Sequence, residues 1–156
     1  MLRSLFFILL LFCMFQSEAQ SPNMKFRHFT SKDGLVQNNV VAILQDSKGF
    51  MWFGTRAGLN RFDGYDYRLY EYIPGEENTL ISSQISSLYE DKRGYIWIGH
   101  VGGGLNRYNP ETDRFENFNR TPETNVELPN SNVSAIIEDD QENLWVGTFG
   151  NGMCHQ

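Results

Sequence analysis

Residues Asp46–Phe62 read DSKGFMWFGTRAGLNRF. The phrase returns as DKRGYIWIGHVGGGLNRY at Asp91–Tyr108 and as DDQENLWVGTFGNGMCHQ at Asp139–Gln156. Trp52, Trp97 and Trp145 each lie six residues after Asp46, Asp91 and Asp139, and each is followed two places later by Gly54, Gly99 or Gly147. Successive tryptophans are 45 and 48 residues apart. In a chain rich in strand signals, a period of that size reads as propeller blades and not as a helical solenoid.

Turn chemistry divides each repeat into strands. Val40–Gln45 (VVAILQ) is apolar almost throughout, the pattern of a strand buried on both faces, and Ile85–Glu90 and Val133–Glu138 hold the same place later. These are read as innermost strands; small Ala42, Ser87 and Ala135 near their starts fit crowding at a central axis. Asp46–Gly49 and Asp91–Gly94 predict hairpin turns, the Asp accepting local N–H bonds and the Gly supplying positive φ. The tryptophan strand follows. Gly58, Gly104 and Gly152 lead into a third strand, and Asp63-Gly64 or Asn109-Pro110 turns the chain into a fourth.

The fourth strand carries two aromatics three apart, Tyr67 and Tyr70, then Phe115 and Phe118. The same spacing stands ahead of the first repeat at Phe26 and Phe29, where an outer strand without an inner one is expected to complete the last blade of a ring. Leu35, Leu80 and Leu128 each fall five residues before an inner strand. In the third repeat Glu142 replaces the turn glycine, so Asn143 is expected in the left-handed position, and Met153, Cys154, His155 and Gln156 replace LNRF and LNRY.

The expected architecture is all-β: propeller blades of four antiparallel strands, incomplete, with two full blades, most of a third and an N-terminal ring-closing strand. Boundaries fall at 1–19 (signal peptide), 20–39 (outer strand and linker), 40–73 (blade 1), 74–84 (linker), 85–119 (blade 2), 120–132 (linker) and 133–156 (partial blade 3). A ring needs about four to eight blades. The chain therefore reads as the start of something longer, whose open faces predict self-association.

Residues 1–19 carry Arg3, an apolar run from Leu5 to Phe15, and Ser17 and Ala19 in the small-residue arrangement of a cleavage site. Eleven apolar residues make about 16 Å of helix against a bilayer core of roughly 30 Å, so export with cleavage after Ala19 is expected. Cys13 would leave with the leader, and Cys154 alone permits no intrachain disulfide. The formal charge is -6, without clusters of Lys and Arg, so neither nucleic acid nor an anionic membrane is expected as a partner.

The run from Asn38 to Tyr65, NNVVAILQDSKGFMWFGTRAGLNRFDGY, resembles the two-component regulator propeller repeat. The likeness covers Met24 to about Gly152 and rests on the recurring D-x-x-G-x-x-W-x-G-T and G-L-N-R-[FY] motifs. The resemblance implies the periplasmic sensor region of a Bacteroidetes-type hybrid two-component histidine kinase. In that family seven-bladed propellers, usually in tandem, precede a sandwich domain, a membrane helix and the kinase. It also implies recognition of a carbohydrate. The expected partners are an oligosaccharide, the remaining blades of the parent propeller and, in the parent, a second copy in a dimer. The parent would be anchored in the inner membrane.

Among the repeated residues, Asp46, Asp91 and Asp139 are read as turn caps, Trp52, Trp97 and Trp145 as packing between blades, and Gly54, Gly99 and Gly147 as structural companions. Asn60-Arg61 and Asn106-Arg107 recur too and are read as serving the blade. Ligand binding is assigned to what varies. In an up-and-down meander the loop between strands two and three and the linker between blades lie at one end, which collects Arg56, His100, Phe149 and Asn151 with segments 74–82 and 119–131. No catalytic constellation, metal-ligand spacing or cofactor motif is read: His28, His100 and His155 are isolated, and Gly102-Gly103-Gly104 leads to a strand and not to a helix. The alternative is a fragment of a glycan-acting propeller enzyme, a lyase or a sialidase-like glycosidase. The D-x-x-G-x-x-W phrase resembles the sialidase Asp box, but here the Asp precedes the Gly by three residues and not two.

Overall fold

Each repeat folds as a meander in the computed structural model, which describes residues 24–118 and 131–156. Strands β1 (Val40–Gln45), β2 (Met51–Thr55), β3 (Leu59–Phe62) and β4 (Tyr67–Tyr70) form one antiparallel sheet in chain order. Strands β5 (Ile85–Glu90), β6 (Ile96–His100), β7 (Leu105–Asn109) and β8 (Arg114–Phe118) form a second. The third sheet is β9 (Val133–Glu138), β10 (Leu144–Thr148) and β11 (Met153–His155). A single 3-10 turn, Ser31–Asp33, is the remaining regular element among the described residues. The leader read over 1–19 and most of the linker over 120–132 lie outside them. No helix among the described residues is long and apolar enough to cross a membrane.

The recurring aspartate works harder than a turn cap. Asp46 Oδ1 accepts the backbone N–H groups of Lys48 (3.0 Å) and Phe50 (2.8 Å), and its Oδ2 accepts the indole N–H of Trp52 at 2.8 Å. Asp91 does the same for Arg93, Tyr95 and Trp97, and Asp139 for Gln141, Asn143 and Trp145. The Trp145 indole and the Asn143 side chain and backbone hold the Asp139 carboxyl well below the usual carboxylate range. One carboxylate thus closes the hairpin and aims the indole; the spacing of six residues is what brings the strand's second side chain back over the turn.

That aim fixes which face of a blade meets the next. Trp52, Leu59, Leu44 and Tyr70 of the first sheet pack against Ile85, Ile96, Ile98, Tyr108 and Phe115 of the second. Trp97, Leu105, Tyr89 and Phe118 of the second then pack against Val133, Ile136, Leu144 and Val146 of the third. The aromatics contact in tilted, edge and stacked geometries, Trp52 with Tyr108 at 5.1 Å and with Tyr70 at 5.9 Å, Trp97 with Phe118 at 5.3 Å.

The recurring spacing of small residues also has a cause. Ala42 pairs with Gly54, Ser87 with Gly99 and Ala135 with Gly147 across the first ladder of each sheet, beside a register shift at the same place. Into the shallow spot so formed the next inner strand inserts its first side chain. A Cβ on Gly54 would stand 2.6 Å from Ile85 Cγ2, and one on Gly99 2.6 Å from Val133 Cγ1. Crowding therefore comes from the neighbouring blade and not from the axis alone.

Three expectations need correction. β1 is not buried on both faces: its residues alternate between half-buried and exposed, Ile43 being 63% exposed, because only one of its faces meets a blade among the described residues. β5, with blades on both sides, has no exposed residue. The strand expected at Phe26 and Phe29 is not formed; residues 24–30 join no ladder, and Phe29 rests instead on Phe62 at 6.0 Å. A strand takes its shape from a partner's N–H and C=O groups, and none is offered there. Finally, Glu142 itself takes the left-handed conformation (φ 65°) where Gly49 and Gly94 stand, and not Asn143. Asn143 is committed through its backbone and its side chain to Asp139, and an ion pair of Glu142 with Arg93 at 2.8 Å holds the strained residue.

Three outcomes are expected in chemical denaturation. Asp46→Ala leaves the Trp52 indole N–H buried without an acceptor and should cost about 2–4 kcal/mol, the loss being mirrored in a shifted tryptophan emission. Gly99→Ala overpacks the seam and should cost about 1–3 kcal/mol. Gly147→Ala, whose Cβ would meet nothing nearer than Ser134 Oγ at 3.5 Å, should be close to neutral.

Candidate functional site

The loops between second and third strands meet the linkers between blades at one end of the molecule. Val101 N–H donates to Gln84 O at 2.9 Å, Phe149 N–H to Asn132 O at 2.9 Å, and Arg56 N–H to Gln37 Oε1 at 3.2 Å. Gly102 N–H reaches Asn132 Oδ1 at 2.9 Å, and the Ser131 hydroxyl donates to Phe149 O at 3.2 Å. The first and third loops are cinched by a threonine: Thr55 N–H and Oγ1 both donate to Gly58 O (3.0 and 2.9 Å), as Thr148 does to Gly152 O (2.9 and 2.8 Å). These bonds tie up the backbone and leave the intervening side chains outward.

Arg56, Phe149 and Asn151 are exposed on these loops, Phe149 at 78%. They stand on the first and third blades, with the second between them. An aromatic ring, a guanidinium and an amide on one end supply a flat apolar face and several hydrogen-bond donors. Segment 119–130 of the expected rim lies outside the described residues.

His100 is not a rim residue. It is the last residue of β6, is 0% exposed, and stands where the first and third blades have Thr55 and Thr148. The imidazole turns inward: its Nε2 lies 2.8 Å from Asn106 Oδ1, which also accepts the backbone N–H of Ile81 at 3.0 Å. Since that oxygen can only accept, the ring carries its proton on Nε2. Burial pushes the His100 pKa down to about 4. The histidine braces a linker and presents nothing to a ligand.

Asn106 and its counterpart Asn60 are the residues that sequence reasoning under-read. Asn60 Oδ1 accepts the N–H of Val36 at 2.9 Å, as Asn106 does that of Ile81, so each holds the linker entering its own blade. The third repeat lacks both halves of this bond, with Cys154 in place of the Asn and Pro129, which has no N–H, following Leu128. Arg61 and Arg107 lie over Phe50 and Tyr95 at 4.6 Å, capping the seams. A second group went unread: Asp113 accepts from Tyr108 (2.8 Å) and Tyr70 (3.0 Å) and pairs with Arg68, pinning the outer strands of the first two blades together.

A cleft of about 430 Å³ opens between the second and third blades, lined by Trp97, Phe118, Arg93, Arg107, Glu116 and Glu142 among others. Its two arginines are already paired, Arg107 with Glu116 at 2.6 Å and Arg93 with Glu142 at 2.8 Å. At the first seam the equivalent place is filled by Tyr108 and Phe115. The cleft is therefore an unfilled seam in its construction. Among the described residues no three His, Cys, Asp or Glu side chains gather as a metal site.

Because His100 is held neutral in the fold and would ionise near its ordinary 6.5 when unfolded, its contribution to stability is complete above about pH 6.5 and is lost as pH falls toward 4. The cost by pH 4 is about 3 kcal/mol. His100→Thr, which installs the residue of the other blades, should flatten this part of the stability profile measured by urea denaturation between pH 4 and 7.

A family model described as the two component regulator propeller matches at residues 34–57, 79–102 and 127–150, one match on each blade. Histidine kinase P4 of Formosa agariphila is 45% identical over 75 residues, 48% of this chain and 5% of that protein. The extracellular domain assigned to the hybrid two component system BT3049 of B. thetaiotaomicron superposes with a TM-score of 0.73 at 32% identity, over 83% of this chain and 18% of that one. That of BT4673 from the same organism gives 0.66 at 29% identity, over 85% and 18%. The chain thus spans a small fraction of the length of each. Three Asp-clasped tryptophan blades, each matched by the same model, show that the chain carries repeats of the two component regulator propeller type.

Proposed function

We propose that these blades are part of the extracytoplasmic ligand-sensing propeller of a two-component sensor histidine kinase, exported to the periplasm from an inner-membrane-anchored parent. The ligand is a carbohydrate, received at the end of the blades where Arg56, Phe149 and Asn151 stand exposed. Its arrival is passed on as a change in blade packing to a kinase domain outside these residues. One observation carries the reading. Every residue that recurs from blade to blade is consumed by the blade itself, the Asp on its Trp, the Gly on the next inner strand and the Asn on its linker. Arg56, Phe149 and Asn151, which do not recur and are exposed, stand at the end where the loops meet the linkers. Phe149 offers a ring against which the apolar face of a sugar can stack, and Arg56 and Asn151 offer donors for its hydroxyls. The neighbours in structure, being extracellular domains of two-component systems, support the same reading.

The reading is tested by titrating the processed chain with a panel of neutral and acidic oligosaccharides, followed by calorimetry and by assay for new reducing ends. Binding without turnover is expected, with Phe149→Ala weakening it about tenfold. Turnover of any oligosaccharide, or binding indifferent to both Phe149→Ala and Arg56→Ala, overturns it.

A further inference from the structure

Between β4 and β5 the chain makes a loop whose two ends are tied together. Tyr72 N–H donates to Ser83 Oγ at 3.1 Å, Glu76 N–H to Ile73 O at 3.2 Å, and the Thr79 hydroxyl to Glu76 O at 3.3 Å. A loop closed on itself in this way, an Ω-loop, is a compact body and not a slack tether. Its outer arc is open to solvent: residues 71–78 are all exposed, and Gly75 (φ 80°) and Asn78 (φ 63°) carry the backbone through the left-handed region.

The returning limb is anchored in the interior. Leu80, 1% exposed, enters the first seam in the cluster of Trp52, Ile96, Ile98 and Tyr108. Beside it Ile81 N–H is held by Asn106 Oδ1 at 3.0 Å, and the amide nitrogen of the same Asn106 donates to Glu116 O of β8 at 3.3 Å. His100 donates to that oxygen too, at 2.8 Å, where the first blade has Thr55 turned to Gly58 O. One limb thus reaches both the core between two blades and the outer strand of the second.

The loop also touches the rim loops on either side of it. A Cβ on Gly58 would stand 2.9 Å from Tyr70 O and 3.4 Å from Glu71 Cγ, so the turn that carries Arg56 rests on the outgoing limb. Val101 N–H, at the head of the second blade's turn, donates to Gln84 O at 2.9 Å on the returning limb. Tyr72, Ile73, Glu76 and Glu77 of the arc are exposed, and supply an aromatic face and carboxylate acceptors to whatever meets this end of the first two blades.

We infer that residues 71–84 form a strap coupling the rim to the first seam: a ligand that draws on the exposed arc shifts Leu80 within the seam, and the packing of Leu80 in turn sets the shape of the arc. The ligand is that of the function proposed above, on which this part rests; the coupling is a property of the fold. Coupling free energies are reciprocal, so the seam answers to the arc even with nothing bound. Leu80 is the point of transfer, because it is the strap side chain that lies among the seam residues.

Gly75→Ala strains the arc, while the added Cβ meets nothing within 4 Å, so an effect outside the loop must travel along the strap. Hydrogen exchange of the processed chain, followed by NMR, is expected to run about threefold faster at the Trp52 indole and the amides of Ile96–Ile98 in this variant. That effect is expected to vanish when Leu80→Ala is added, with Leu80→Val in its place if the double variant does not fold. An oligosaccharide that binds in the panel above should slow the same exchange and bind Leu80→Ala about tenfold more weakly, through a residue it cannot touch. Exchange changes confined to residues 71–84, a Gly75→Ala effect of equal size with and without Leu80, or an affinity indifferent to Leu80→Ala overturns the strap. If no oligosaccharide binds, the carbohydrate reading falls and the two exchange outcomes decide the strap alone.

Discussion

A carboxylate that takes three donors at once sets the frame of this molecule. Asp46 closes its turn with Oδ1 and holds the Trp52 indole with Oδ2, and Asp91 and Asp139 repeat the act. An indole N–H buried without an acceptor is costly, and a flat bicyclic ring free to choose its rotamer would not define a packing surface. Once the Asp has fixed the ring, one face of the blade is decided. The tryptophan faces the following blade, the outer aromatic pair divides between the two seams, and the direction of winding follows.

The same logic explains why small residues accompany the tryptophan. A pair such as Ala42 and Gly54 leaves a dent that a β-branched side chain of the neighbour fills, so sequence separation of a whole repeat is bridged by one contact. Stability in such a structure is built from repeat units and nearest-neighbour seams. The rim is a different economy. Its loops are held by backbone bonds to the linkers, and their side chains carry no share of the seams, which leaves them free to differ between blades without cost to the fold.

His100 shows where those two systems touch. It replaces a loop-cinching threonine by a buried imidazole that shares the acceptor of a linker, so the second blade fastens its entry through a ring that burial keeps neutral. From position alone it counted as a rim residue, because a strand's last residue can point to loop or to core and sequence spacing does not say which.

The sequence by itself determined the repeat, the strands and their order, because turn residues and alternating apolar positions act within a few residues of one another. It also marked the aspartates, tryptophans and glycines as structural, since a residue present in every blade answers to something every blade has. Only the tertiary structure decided what each touches: that the aspartate holds the indole, that Asn60 and Asn106 hold linkers 24 and 25 residues away, and that Glu142 bears the strained backbone. It alone decided burial as well. VVAILQ in β1 and ISSLYE in β5 hold one place in the repeat, and the more apolar of the two is the more exposed, because burial is granted by the neighbouring blade and not by the side chain's own preference.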